Sequence, residues 1–350
     1  MPKHSNSILN AFRYYMAIKR KFKKELDFSK RRSEFYKDFW DNAATQVDAG
    51  VESLGDDYYR ITKGGHSTLV RYHFVCIDKY LSLMLVGQKP LVQRILAGFG
   101  CRVPRYVEYD LHSLNIAQAF MDRHEGCFVV KPIEGSGGHG ITTGVSSKKR
   151  LRSATIAASA SFKVQKLMIE EVVKGDSYRL LYLDGRLVDV VKRKRPTVVG
   201  NGRSSLGDLI RQENVQRLES IRAQSLTQLT VDLDAKFFFE DHGLSLSMVP
   251  RSGELVAVKN VANENSSRDN LTVSSGVHPS FDSLAIHLKK ELGLVFIGID
   301  VMATDLCKPL EETGGAIIEI NIPPGLHYHV LVDNPEKMTC VGSEILNFIL

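Results

Sequence analysis

Val129-Val130-Lys131-Pro132-Ile133-Glu134-Gly135-Ser136-Gly137-Gly138-His139-Gly140 is the stretch on which the reading of this chain turns. An apolar strand runs into one lysine and then into a loop with four glycines in six residues. Such a loop lets successive backbone N–H groups close on phosphate oxygens, while the lysine adds a point charge. Far downstream, Ile317-Ile318-Glu319-Ile320-Asn321 supplies a complement. A strand period of two puts Glu319 and Asn321 on one face and Ile318 and Ile320 on the other. Phe296-Ile297-Gly298-Ile299-Asp300-Val301-Met302 is a second apolar strand with one carboxylate embedded in it, and residues 304–315 can turn the chain back to pair the two. A carboxylate among β-branched residues needs a partner; a divalent cation is one, and converging oxygen ligands suit Mg2+. Singly, a glycine loop is a common linker and an acidic strand face is commonly just solvated. Together the segments describe a nucleotide-and-metal site.

The surrounding chain is organised for such a site. Residues 33–48 read as a helix carrying the only tryptophan, Trp40, followed by a strand at Tyr58-Tyr-Arg-Ile-Thr and a turn at Gly64-Gly65. Residues 87–100 read as a helix with Pro90 in its first turn and glycine at its end. An entering strand is expected at Val103-Pro-Arg-Tyr-Val, then helices around 113–123 and 147–161 flanking the glycine loop. Strands near 164–173, 178–183 and 187–192 follow, then a helix opened by residues 204–210 and another over 232–242, a strand ending in Lys259, and a helix over 281–292. The segment from Asn260 to Asn270 is expected to be a loop too polar for the core. Alternating helices and strands argue for an α/β or α+β architecture.

Composition fits a globular protein, 43% hydrophobic and 25% charged over 350 residues. Five scattered cysteines show neither disulfide nor metal-ligand spacing, so reduced thiols and a cytoplasmic location are expected. No signal-peptide core or membrane-length apolar run is present. Residues 1–40 hold 11 Lys or Arg against four acids, so the net charge of +6 resides in this segment. Apolar residues at helical intervals among these bases suggest an amphipathic basic helix, read first as a solvated helix and second as a docking element for a partner.

The motifs resemble the ATP-grasp superfamily of carboxylate–amine ligases, most closely the ATP-grasp part of cyanophycin synthetases and related amino-acid ligases. Residues 61–329 carry the resemblance, with its most specific stretches at Gly175-Asp-Ser-Tyr-Arg-Leu-Leu181, residues 191–205, Gly253-Glu-Leu-Val-Ala-Val-Lys259 and residues 314–325. It implies three parts: a basic helical region and small α/β domain over 1–87, a lid over 88–168, and a C-terminal subdomain with the metal site over 169–350. It also implies ATP and Mg2+, two ions with Mn2+ as substitute, and activation of a carboxylate as an acyl phosphate that an amine attacks.

By the same resemblance, Lys89 and Lys131 reach the ATP phosphates and the loop of Gly135, Ser136, Gly137, Gly138 and Gly140 folds over them. Glu170, Glu171 and Val173 lie at the adenine edge. The ribose position falls on Ser177 with Asp176 adjacent, a departure from the usual acid, and Gln93 stands where a further lysine is common. Arg179, Arg193 and Lys259 match catalytic positions facing the acyl phosphate, and Lys192 a nucleotide position. Strand alternation lets at most half of Lys192-Arg-Lys-Arg195 enter the site, with Arg193 favoured and Lys194 and Arg195 solvated. Asp300, Glu319 and Asn321 match the metal ligands, Glu319 as the bridge. His327 and His329, after the turn at Pro323-Pro-Gly325, are read as exposed turn residues first and substrate contacts second.

Because the further domains of cyanophycin synthetases do not fit in this chain, a stand-alone ligase acting on an amino acid or small peptide is expected. A homo-oligomer is compatible with the sequence and nucleic acid is not an expected partner. A D-alanine–D-alanine-type or glutathione-type ligase, a phosphotransferase on the same fold, and a non-catalytic ATP-binding protein are the alternatives.

Overall fold

A computed structural model describes residues 26–135, 137–162, 166–273 and 276–350. Most of the segment expected to form a basic helix, residues 1–25, and Ser136 of the glycine loop lie outside the described residues. Helix α1 (Ser29–Gln46) follows from apolar residues at helical spacing, with Tyr36, Trp40, Ala43 and Ala44 buried along one face. Strands β1 (Gly50–Gly55), β2 (Tyr58–Lys63), β3 (His66–Arg71) and β4 (Phe74–Val75) form an antiparallel meander in that order. Helices α2 (Tyr80–Val86) and α3 (Lys89–Gly98) come next, α3 with Pro90 in its first turn as expected.

A four-stranded antiparallel sheet in the order β5-β8-β6-β7 is built from β5 (Tyr106–Asp110), β6 (Phe128–Pro132), β7 (Thr142–Val145) and β8 (Lys166–Glu171). Helices α4 (Leu114–Arg123) and α5 (Lys148–Phe162) cover it over a core that includes Phe120, Phe128, Val130, Leu151 and Ile169. β5 begins at Tyr106 rather than at Val103, because Pro104 has no N–H to give a ladder.

The largest sheet has the order β13-β10-β9-β14-β15. Its strands are β9 (Asp176–Leu183), β10 (Arg186–Arg193), β13 (Asn270–Thr272), β14 (Phe296–Ala303) and β15 (Ala316–Asn321). Short strands β11 (Thr197–Val199) and β12 (Leu255–Ala257) pair separately beside helices α6 (Leu206–Glu219) and α7 (Leu233–His242). Helix α7 starts at the Asp232 cap, whose side chain accepts from the Ala235 N–H, and ends at Gly243 in the left-handed region. Helices α8 (Pro279–Leu292), α9 (Leu310–Thr313) and α10 (Val341–Ile349) complete the chain.

This sheet is buried on both faces, and strand alternation sorts its side chains. Tyr178, Leu180 and Tyr182 of β9, with Ile297, Ile299 and Val301 of β14, pack against Val92 and Leu96 of α3 and Phe281 and Leu288 of α8. Leu181, Leu183 and Phe296 point the other way, into a core shared with Tyr36 and Trp40 of α1, Ile61 and Val70 of the meander, and Ile345 and Leu346 of α10. Arg179 and Asp300 have the parity of this second set, so they emerge on the side that the N-terminal elements cover.

Two expectations are corrected here. The polar segment from Asn260 to Asn270 is core: Glu264, Asn265, Ser266, Asp269 and Asn270 are all buried. Its polarity is absorbed by hydrogen bonds, among them Asn265 Nδ2 to the Lys194 carbonyl at 2.6 Å and Asn270 Nδ2 to the Leu331 carbonyl at 3.0 Å. His329 is no exposed turn residue either; it is fully buried, its Nδ1 2.6 Å from Asp189 Oδ2.

Candidate active site

Helix α3 stands where the four-stranded sheet meets β15. Its first-turn Lys89 reaches Glu319 Oε1 at 3.2 Å and donates to the Gly135 carbonyl at 2.6 Å. Its Gln93 donates to Glu170 Oε2 at 3.3 Å, and Lys131 of β6 pairs with the other oxygen of Glu170 at 2.7 Å. Lys131, Gln93 and Glu170 are all buried, so the lysine expected at the phosphates is held by the acid expected at the adenine edge. The neighbouring Glu171 faces outward to Arg105, at 2.6 Å. Val173 is buried beyond the end of β8.

A second constellation lies across β9, β14 and β15. Asp300 is the register partner of Arg179 on one side and of Glu319 on the other. Arg179 holds it bidentately, Nε to Oδ1 and Nη2 to Oδ2, both at 2.7 Å, and Arg193 Nη2 approaches Oδ2 at 3.1 Å. Burial opposes the charge on Asp300, but the two guanidiniums outweigh it and hold the carboxyl down to about 2. The Tyr328 ring lies against both arginines, 5.2 Å from Arg179 and 5.6 Å from Arg193. The partner that a buried carboxylate required is therefore a pair of arginines. Arg193 enters the site while Lys192 turns to Asp176 at 2.6 Å, and Ser177 accepts from Arg193 at 3.1 Å. Lys194 and Arg195 are exposed.

The donor set fits a hard divalent ion. Asp300, Glu319 and Asn321 offer only carboxylate and amide groups, and among the described residues no group of three or more His, Cys, Asp or Glu suited to a metal occurs. Among the described residues the buried Asn321 Nδ2 has no hydrogen-bond partner, and turning that amide over presents its oxygen in the same place. Asp300 has about four acceptor sites, of which the arginines take three. The ladder is irregular between Asp300 and Val301, where Ile318 has no partner, and this bulge re-aims Glu319 at the sheet edge beside Lys89.

Lys259 lies in a third group. It is fully buried, 2.8 Å from Asp232 and 2.9 Å from Glu264. Burial works against its charge, yet the two carboxylates prevail and its pKa is raised. The glycine loop rests on the same region: Asn263 Nδ2 donates to the Gly137 carbonyl at 2.8 Å, and the Asn263 carbonyl accepts from the Tyr328 hydroxyl at 3.1 Å. Gly138 has φ +70°, and a Cβ there would sit 2.5 Å from Asn263 Nδ2.

Thus Lys89, Lys131, Gly135 and Glu170 gather at α3, and Arg179, Arg193, Asp300, Glu319 and Asn321 along the sheet. Lys192, Asp176 and Glu171 stay in pairs of their own at the margin. Sequence reading missed Asn263, Tyr328, Asp232 and Glu264 as site residues. Tyr328 lay inside a stretch already singled out; the other three sat in polar or capping contexts with no signal separating them from ordinary loop residues.

The prokaryotic glutathione synthetase ATP-grasp domain family matches residues 110–235. Cyanophycin synthetase of Geminocystis herdmanii is 31% identical over 252 residues, 71% of this chain and 29% of that one. The glutathione biosynthesis bifunctional protein of Clostridium perfringens is 25% identical over 276 residues, 78% of this chain and 35% of that protein. The chain thus spans about a third of the length of the curated relatives it matches. Among solved structures, a bifunctional glutathione synthetase from Pasteurella multocida superposes with a TM-score of 0.55 at 23% identity, covering 90% of this chain and 44% of that one.

Proposed function

Because this chain belongs to the ATP-grasp superfamily, we propose that it is an ATP-dependent carboxylate–amine ligase that joins an amino acid or small peptide to an amine through an acyl phosphate. The observation that carries this reading is the register row Arg179, Asp300, Glu319, flanked by Arg193, Lys89 and Asn321. Phosphoryl transfer to a carboxylate brings two anions together, so its catalysis is positioning and charge neutralisation. Glu319 and Asn321, with Asp300, would hold Mg2+, which shields the triphosphate when bound; two ions, with Mn2+ as a substitute, are our expectation.

Lys89 and Lys131 are placed to exchange their present partners, Glu319 and Glu170, for phosphate oxygens. Arg179 and Arg193 stay fixed by Asp300 and face the acyl phosphate with their remaining N–H groups. The glycine loop, seated on Asn263, excludes water from an intermediate that water would hydrolyse. Lys259, bound by two carboxylates, positions the polar segment on which that loop rests. Products are an amide, ADP and phosphate. A glutathione-synthetase-like substrate is the second reading, favoured by the family match over residues 110–235.

Incubation with ATP, Mg2+ and pools of amino acids and dipeptides, following phosphate and new masses together, tests the proposal. A condensed product with ADP, abolished in Glu319→Ala, supports it. Phosphorylated product without condensation would instead establish a phosphotransferase, and ATP binding without turnover in every pool a non-catalytic role.

A further inference from the structure

The side of the site covered by the N-terminal elements gathers guanidiniums, with Asp300 and Glu319 as the carboxylates that bear on Arg179. Arg179 and Arg193 share the single carboxylate of Asp300. A third guanidinium, Arg32, comes from α1, one helical turn before Tyr36 and on the same face. The Tyr36 hydroxyl lies 3.2 Å from His327 Nδ1, and its ring packs on His73 with centroids 6.0 Å apart. His327 in turn packs on Tyr328 at 4.1 Å, the ring that lies over Arg179 and Arg193.

Among the described residues no hydrogen bond or ion pair engages the Arg32 side chain. Burial, then Arg32 and Arg179, holds His73 down to about 4. Burial, then His73, Arg179 and Arg32, keeps His327 well below its ordinary value. Both imidazoles are therefore neutral near pH 7 and can donate a hydrogen bond without adding charge. A half-buried region with gathered guanidiniums and neutral donors, and with Asp300 already committed, is complementary to an anion.

We propose that Arg32, His73 and His327 form a subsite for a substrate carboxylate other than the one that reacts, with Arg32 as its charge partner and the two imidazoles as hydrogen-bond donors. This assignment rests on the ligase reading above. It makes the N-terminal elements a specificity determinant, selecting substrates that present a second acid, either on a side chain or at a peptide C-terminus.

The full chain, labelled with isotopic histidine, is titrated with L-glutamate and with glycylglycine, each compared with its amide, in the presence of Mg2+ and a non-hydrolysable ATP analogue. The expected result is that a carboxylate form moves the His73 and His327 ring resonances and raises their pKa values, and that its amide does not. Response to glutamate alone assigns a side-chain acid, and response to glycylglycine alone a peptide terminus. Loss of a charge-assisted hydrogen bond predicts that Arg32→Ala weakens the response about 10- to 100-fold, with partial recovery in Arg32→Lys. A response unchanged in Arg32→Ala, or no movement with either carboxylate, overturns the subsite. Binding of the ATP analogue, followed on the same samples, separates the two readings. Nucleotide binding without a carboxylate response removes only the subsite, whereas absence of nucleotide binding removes the ligase reading and the subsite with it.

Discussion

Asp300 and Glu319 are register partners of unequal standing, and their substitution should separate folding from chemistry. Asp300 is buried between Arg179 and Arg193, so Asp300→Asn strands two guanidiniums and is expected to cost about 3–5 kcal/mol in a urea melt as well as activity. Glu319 is 28% exposed at the sheet edge and pairs with one lysine, so Glu319→Ala should change stability by about 1 kcal/mol or less while abolishing product formation. Equal losses of stability in both variants would contradict this division. The acid limb of stability follows from the same neighbourhood. His73 is held down to about 4, so the folded state binds fewer protons than the unfolded chain between its ordinary value near 6.5 and about 4. Stability is therefore full above that window and falls as pH drops through it, and His73→Asn should flatten this part of the profile in melts recorded from pH 7 to pH 4. The Asp300 contribution, with the carboxyl held down to about 2 against 3.8 ordinarily, is present above pH 4 and disappears only on further acidification toward 2.

At the scale of elements, the glycine loop holds at Gly138 a position with no room for a side chain. Gly138→Ala would force a Cβ into Asn263 at a left-handed backbone position, lifting the loop from its seat. Because the segment lies at the surface, melting should change little, whereas kcat should fall on the order of 100-fold as the reacting groups lose their register. Stopped-flow phosphate release, set beside the melting curve, measures both. Much at this scale was legible in the sequence. The helix over 232–242, Pro90 in the first turn of α3 and the strand near 178–183 are written in neighbouring residues, and local rules suffice for them. The segment from Asn260 to Asn270 was not legible, because polarity marks a loop only if water is its partner. Here the partners include Lys194 and Leu331, 71 and 61 positions away along the chain.

Across the whole molecule, one sheet carries two cores, and the N-terminal elements are the cover of the second. Removing residues 1–75 would uncover Leu181, Leu183 and Phe296 together with the Arg179 side of the site. The truncated chain is expected to aggregate rather than survive as a weaker enzyme, as solubility and size-exclusion profiles would report; a soluble, monodisperse fragment would show that the cover is dispensable. Among the described residues no helix is long and apolar enough to cross a membrane.

The sequence by itself determined the class of fold and the identity of the candidate ligands. A glycine loop after a lysine strand and acids embedded in apolar strands are local patterns, set by backbone sterics and a period of two. Only the tertiary structure decided which groups meet. That Arg179 and Arg193 satisfy Asp300, that Glu170 holds Lys131, and that Tyr36 links His73 and His327 are consequences of strand order and of which face α1 covers. Electrostatic partnership acts through space over a few ångströms, while its members lie far apart in the chain, Arg179 and Asp300 by 121 positions and Tyr36 and His327 by 291, and no local rule spans such separations.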